Sequence, residues 1–528
     1  MDFLNTTLVK LRNCFRNFFP YNTDASIELV DALSSNTEAD SVVKLSENIR
    51  YTRHYTTLTP VISSFYKPKD KEAKDYQVQL AEAKKKIQNT LCQHIELDIE
   101  RDYHLFAIDV TPNPRPYAKK VEDRGYIKHN EVVNSGKPVT IGHNYSCVLY
   151  LTGQNTWALP VAIDRVATSV KDTVFGVNQW CEITKDENNH FMDKRCVGVF
   201  DAAYSSAYCI AAFNENQAGD AIFIARLRGD RVLQRPYTGE KNSKGRPIIF
   251  DKNNTFDLKD EATWGKPAQS SSCAWTTKKG KQHIVHIEVW YDIRMRGHHD
   301  AKIQEIPLMV SRITVRTQDG DLVYARPLWT VIVGSWPSDW PITYIWYDYH
   351  IRFDAEHFFR FGKSNLLLVD YQSCYSLNEE NWKQFCMISY HQNYHARKLV
   401  QNIKKKWETK KTLSDGVLSP SRVQRGMGDL LKQLPAITEE VKPRGRPTGN
   451  QMGAKIIARP DCEVVKKSAL KPTDTRVLSI NYRFEKGSNI LKPRIKYNGI
   501  EKSSIPTEMT DMIDEIQKRP LFEVLPAP

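Results

Sequence analysis

The sequence predicts an α/β protein: a mixed sheet interrupted by an antiparallel β insertion, after an all-α N-terminal segment and before a basic tail. Three observations predict it. Between about 103 and 226 the order is three strands, helix, strand, helix, strand. From about 227 to 340, β-branched and aromatic residues dominate. From Arg397 to Lys455 there are fourteen Lys/Arg against five Asp/Glu.

The first hundred residues predict helices. Leu8, Leu11, Phe15 and Phe18-Phe19 recur at helical spacing with basic residues between them; further helices fit Ala25–Leu33 and Ala73–Leu97. Tyr103-His-Leu-Phe-Ala-Ile-Asp109-Val110 then reads as a strand presenting Asp109 at its end, before Pro112, Pro114 and Pro116. Asn144–Leu151 and Trp157–Val166 read as strands, and Val170–Ile183 as a helix. Arg195–Tyr204 is another strand ending in an acid, Asp201. The helix Ser205–Phe213 and the strand Asp220–Arg226 follow. Ligands of such sheets collect at the carboxyl ends of strands, where both acids sit.

In the insertion, Gln282–Arg294, Ile303–Val315 and Leu322–Val333 read as strands, with a hairpin at Asp319-Gly320. Six tryptophans lie there: Trp264, Trp275, Trp290, Trp329, Trp336 and Trp340. Most belong to sheet packing, and one could stack on an unpaired base.

Tyr349 to Lys363 reads as one helix, started by Ser338, Asp339 and Pro341. At about 100° per residue, Tyr349, Arg352, Glu356 and Lys363 fall within one sector roughly 60° wide, with Asp348 and Asp354 outside it. One acid flanked by two cations and a phenol suits a metal-bound phosphodiester. The plainer reading is a solvated face with local ion pairs. A long helix fits Glu380–Trp407, and Ser419-Pro420 opens a short one carrying Arg422 and Arg425. Pro443-Arg444-Gly445-Arg446-Pro447 is a narrow basic strip suited to an A·T-rich minor groove, or a plain basic linker. Short β-like runs at Val477–Tyr482 and Ile490–Ile495 end the pattern.

The totals narrow the function classes. The chain has 528 residues and a net charge of +13, which favours a polyanionic partner. Ten cysteines without a CxxC pair or Cys/His ligand spacing suggest buried thiols in a reducing compartment, not a zinc site or disulfide frame. No signal peptide or membrane span is expected. Three carboxylates, Asp109, Asp201 and Glu356, come from two strand ends and a helix. They cannot crowd together charged without a cation. Two Mg²⁺ ions, with Mn²⁺ as a substitute, would suit phosphodiester hydrolysis and transesterification. Asp109 would bridge both ions, with Asp201 and Glu356 each completing one site.

Tyr349, Arg352, Glu356 and Lys363 match Tyr-x2-Arg-x3-Glu-x6-Lys without a gap. With Ala107-Ile-Asp109-Val-Thr-Pro and Phe200-Asp201-Ala-Ala-Tyr204, this resembles the bacterial insertion-sequence transposases of the DDE superfamily, in the YREK-signature, insertion-sequence-four-like group. The resemblance spans roughly residues 1–455. The second motif departs from it mildly, reading Asp-Ala-Ala-Tyr where the group more often has Gly after Ala.

The resemblance implies an RNase H-like core in two parts, 101–226 and 341–410, around the β insertion 227–340. It implies a DNA-end-binding helical domain at 1–100 and a basic region with an AT-hook-like segment at 411–528. It further implies cut-and-paste transposition on double-stranded DNA, both terminal inverted repeats and target. The enzyme would act as a homodimer on paired ends, in the bacterial cytoplasm at the nucleoid. Tyr349, Arg352 and Lys363 would hold phosphates, Trp329 would meet a flipped base, and Arg444 and Arg446 would contact DNA. The rival expectations are a non-catalytic DNA-binding derivative and a structure-specific nuclease of the same fold.

Overall fold

The structure is a computed structural model. It describes residues 6–65, 76–97, 101–129, 138–153, 157–217, 219–236, 254–277, 280–296, 301–403, 417–441, 459–466, 478–484, 490–497 and 521–523. The chain divides into two compact units, Met1–Val465 and Lys466–Pro528. The second contains a three-stranded antiparallel sheet of β13 (Leu478–Phe484), β14 (Ile490–Tyr497) and β15 (Leu521–Glu523).

The first unit is mixed α/β around one twelve-stranded sheet. Its centre is β1 (Tyr103–Pro114), with β3 (Val139–Leu151) antiparallel on one side and β5 (Arg195–Phe200) parallel on the other. Beyond β3 lies β4 (Ala158–Val166), antiparallel; beyond β5 lies β6 (Ile222–Leu227), parallel. The strand β2 (Gly125–Lys128) also pairs with β3. The insertion prolongs this sheet. β12 (Leu328–Val333) pairs antiparallel with β6, then come β11 (Leu308–Thr317), β10 (Gln282–Met295), β7 (Val232–Gln234) and β8 (Thr255–Asp257); β9 (Gln269–Thr276) flanks β10.

Strand periodicity divides β1 between two layers. Phe106 and Ile108 face α5 (Asp172–Lys185): Phe106 meets Trp180, and a Cβ on Gly176 would lie 3.1 Å from Ile108 and 3.0 Å from Ser146 Oγ and Tyr204 OH. Glycine there lets the helix press onto the strand. α6 (Ala207–Asn216) packs beside α5. Asn113, on the other face, reaches α10 (Ser376–Val400), which is buried along nearly its whole length.

The helices α1 (Thr7–Phe18), α2 (Thr23–Ser34), α3 (Leu58–Ser63) and α4 (Tyr76–Gln93) occupy the first hundred residues. Leu8, Leu11, Phe15 and Phe18 of α1 are buried, as their spacing requires. Phe19 stacks on Phe385 of α10 at 5.6 Å, and Asn381 of α10 donates to Ile62 O at 2.8 Å. On the sheet side, Gln384 of α10 donates to Ile163 O at 3.0 Å. The boundaries expected near 100 and 226 therefore fall inside one compact unit.

Several elements differ from the sequence expectation. β1 runs past Asp109 to Pro114, because β5 ends opposite Ile108 and leaves an edge where Pro112 and Pro114 need no amide hydrogen. The turn at Gly320 forms, with φ +95° and a Gly320 N to Thr317 O bond of 3.1 Å, but the returning strand starts at Leu328 rather than Leu322. Ile303 belongs to a short helix, α7 (Ala301–Glu305), ahead of β11. The helix expected over 349–363 is two: α8 (Tyr344–Ile351) and α9 (Asp354–Asn365), broken at Arg352-Phe353. Bonds of i→i+3 type, such as Glu356 N to Phe353 O at 3.0 Å, tighten the junction. α8 starts three residues beyond Pro341, after a turn in which Tyr344 N donates to Pro341 O at 3.1 Å. α10 spans 376–400; of the rest of the expected helix, 401–403 form a turn and 404–407 lie outside the described residues. α11 (Pro420–Leu431) starts at Pro420 as expected. Among the described residues no helix is long and apolar enough to cross a membrane.

Candidate active site

The parallel register sets two acids side by side. Ile108 pairs with Phe200, so the next residue in each chain direction is Asp109 and Asp201. Asp201 closes β5 and caps a 3₁₀ turn, Ala202–Tyr204, by accepting from Ala203 N at 2.8 Å. Asp109 Oδ1 accepts from Val110 N at 2.8 Å. Burial, and then the Asp201 carboxylate, push the Asp109 carboxyl up to about 6; Glu356 adds to this, while the Val110 amide and Arg352 oppose it.

Glu356 arrives from the first turn of α9, with its side chain 46% exposed. Arg352, at the break between α8 and α9, spans the acids: Nη1 lies 3.9 Å from Asp109 Oδ2 and Nη2 lies 3.6 Å from Glu356 Oε1. Its Nε is buried without a hydrogen-bond partner among the described residues. The guanidinium also lies 5.6 Å from the Tyr349 ring centroid. Tyr349, Arg352 and Glu356 thus share a side despite the break. Lys363 lies within electrostatic reach of Cys147, the register partner of Asp109.

Among the described residues, no three His, Cys, Asp or Glu side chains stand close enough together to hold a metal ion. The three acids come within electrostatic reach but are not gathered as a ligand set. Arg352 is the cation that spans Asp109 and Glu356.

Other expected residues land elsewhere. Trp329 is 3% exposed and packs against Trp264 at 5.0 Å and Trp290 at 5.8 Å, so its ring faces are taken by the sheet cluster. Arg422 is buried and donates to Ile403 O at 3.0 Å, which makes it a helix anchor; Arg425 is exposed. Arg444 and Arg446 lie outside the described residues. All ten cysteines are free, but Cys374 is exposed and Cys14, Cys273 and Cys462 are only partly covered, so the expectation of uniformly buried thiols is corrected.

Sequence reasoning missed three supports. The first is Asp348, buried beneath α8, which accepts from Tyr103 OH at 2.6 Å and pins α8 to the start of β1. Burial pushes its carboxyl up to about 7. The second is Tyr204, fully buried, whose hydroxyl has no hydrogen-bond partner among the described residues and whose phenol is raised by burial and by Asp109 and Asp201. The third is Arg226, near Tyr349, at the end of β6. Only Arg226 had a signal in the pattern: a cation closing a parallel strand.

The chain matches the family of DDE superfamily endonucleases over residues 14–285, just over half its length, and belongs to that family. The matched span contains Asp109 and Asp201 and ends before α8 and α9. No curated protein matches the chain. Among solved structures, the C-terminal lobe of a budding yeast Argonaute matches at 9% identity, covering 79% of this chain and 72% of that chain; its TM-score of 0.18 is too low to bear on fold or function.

Proposed function

We propose that this chain is a transposase that cuts DNA at transposon ends and joins the freed ends to target DNA. The observation that carries the reading is the pairing of Asp109 and Asp201 by strand register, with Tyr349, Arg352 and Glu356 converging on them from α8 and α9. The strand order β4-β3-β1-β5-β6, with β1, β5 and β6 parallel, supports an RNase H-like core. Membership in the DDE endonucleases supports phosphodiester chemistry.

The donor chemistry fits Mg²⁺ or Mn²⁺: hard carboxylate oxygens, with the Asp109 carboxyl raised by burial and by the Asp201 carboxylate. Asp109, Asp201 and Glu356 would hold the ions, once Glu356, the most exposed of the site's ion-paired groups, turns inward. Bound there, such ions supply an activated water or 3′-hydroxyl and stabilise the leaving oxygen. The protein's own part is to bind and orient. Arg352 and Lys363 take phosphate oxygens, and Tyr349 backs the Arg352 guanidinium. The helical segment 1–100 takes the terminal repeats, and the enzyme works as a homodimer on paired ends.

The test is cleavage of DNA bearing the element's ends in Mg²⁺, followed by strand joining. Asp109→Ala, Asp201→Ala and Glu356→Ala should each abolish cleavage and keep binding. Cleavage retained in any of them removes that residue from the site. One observation favours a second reading, a non-catalytic DNA-binding derivative: the described acids are not gathered as a metal set. Salt-dependent binding with no cleavage on correct ends would establish that reading. Cleavage without joining would leave a nuclease.

A further inference from the structure

Two cavities open beside the acids and share one wall. The larger, about 680 Å³, starts at Ala202, next to Asp201, and runs along Arg228, Lys259 and Trp329. The smaller, about 280 Å³, reaches Tyr349 and Arg352. Arg226, Arg326 and Pro327 border both.

Arg226, Arg228, Lys259 and Arg326 are all exposed. None has a side-chain hydrogen bond or ion pair among the described residues. Neighbouring arginines of the insertion are engaged: Arg312 pairs with Glu288 at 2.8 Å, and Arg235 donates to Thr263 O at 2.9 Å. A scattered solvated face would not concentrate its unpaired cations along one groove. Among the described residues, Asp230 is the only carboxylate of the larger cavity's wall. The backbone places the cations. Arg226 and Arg228 alternate with the buried Leu227 at the end of β6, and Arg326 enters from the loop before β12, which pairs with β6. Three of the four are arginines, whose planar fork suits phosphate oxygens.

We infer that this groove binds the DNA backbone beside the phosphodiester that is cut, with Arg226 and Arg326 each taking a phosphate at the wall between the cavities and Arg228 and Lys259 continuing the track on the Asp201 side. The inference rests on the acids being the cleavage centre. It assigns a substrate-binding surface to the β6–β7 turn and the β12 approach, away from α8 and α9.

The test uses the full chain and a fluorescein-labelled duplex without divalent ions, with affinity measured against salt. R226Q/R326Q should flatten the slope of log affinity against log salt by about 2, since each lost phosphate contact removes about 0.9. R228Q/K259Q should flatten it further, with thermal stability unchanged. K185Q/K281Q, which removes the same charge outside the groove, should leave the slope as in the native chain. An unchanged slope in R226Q/R326Q, or an equal loss in K185Q/K281Q, overturns the groove. Cleavage by the native chain in Mg²⁺ is read in parallel. If it occurs while R226Q/R326Q keeps the native slope, only the groove falls. If the native chain neither binds nor cleaves, the transposase reading falls and takes the groove with it.

Discussion

Strand β1 supports two acidic centres a few residues apart, and they are built on opposite principles. At the far end of β1 and in the loop after it, Asn113 and Arg115 meet Glu379 of α10, whose side chain is 1% exposed. Arg115 lies 2.9 Å from one carboxylate oxygen; His143 at 2.9 Å, Asn113 at 3.1 Å and Tyr145 at 3.3 Å surround the other. Burial alone would raise this carboxyl, but His143, Arg115 and Lys383 overcome it and hold it below the usual range. Lys383 shares the cost: burial pulls its ammonium down to about 8. At Asp109 the balance goes the other way. The carboxyl is raised, its neighbours are acids, and its one cation stands 3.9 Å off. The protein completes the charge balance of one centre and leaves the other short of cations. A buried carboxylate that is matched by cations is architecture. One that is left short of cations is a candidate for chemistry.

This contrast can be broken or sharpened by measurement. The largest effect should be on cleavage: Asp109→Asn or Asp201→Asn should lower its rate on the order of 10⁴-fold or more, read in single-turnover assays. Glu379→Ala should cost about 3 kcal/mol or more in urea unfolding, because Arg115 and His143 lose their buried partner. Asp109→Asn should do the reverse and stabilise the chain at neutral pH by about 1–2 kcal/mol, relieving the repulsion of a 27% exposed carboxylate.

The pH slopes should oppose one another. A carboxyl raised from 3.8 to about 6 favours the folded state below its unfolded value and loses that contribution as pH rises through about 6. The advantage of Asp109→Asn should therefore shrink as pH falls below about 6 and be gone below 3.8. The depressed Glu379 contributes above its ordinary value of 4.5 and loses that contribution on acidification. Arg352→Gln should tighten Mn²⁺ binding up to about fivefold in titration calorimetry, since its long ion pairs are worth at most ~1 kcal/mol. Glu356→Gln, on a 46% exposed side chain, should shift unfolding by no more than about 0.5 kcal/mol. A Glu356→Gln effect as large as that of Glu379→Ala would erase the contrast.

The core was legible where periodicity and chemistry agreed. Helix α1 and strands β3 to β6 followed from spacing and apolar runs, and Asp109 and Asp201 came together because both end the parallel pairing of β1 with β5. Less legible was whatever depends on a neighbour. That β1 continues through Pro112 and Pro114 depends on where β5 stops. The break at Arg352-Phe353 was hidden because both residues keep right-handed helical dihedrals, so the angular pattern survives the interruption. Trp329 could not be separated from its five neighbours in the insertion by composition; its burial is set by Trp264 arriving from the turn after β8 and Trp290 from β10. The Glu379 centre left no signal, because its members are spread from Asn113 to Lys383.

The seam between β6 and β12 bears on how such a molecule handles a stiff polymer. From Trp329 opposite Leu227 to Val333 opposite Phe223, the two strands are laced by main-chain bonds, so the insertion and the acid-bearing strands share one continuous backbone fabric. A jaw hinged along that line would have to unzip the fabric to open. If the proposed transposase reading holds, any bending or unwinding needed to seat a duplex falls on the duplex itself, and the preferred cutting sites should be those whose base steps yield most readily.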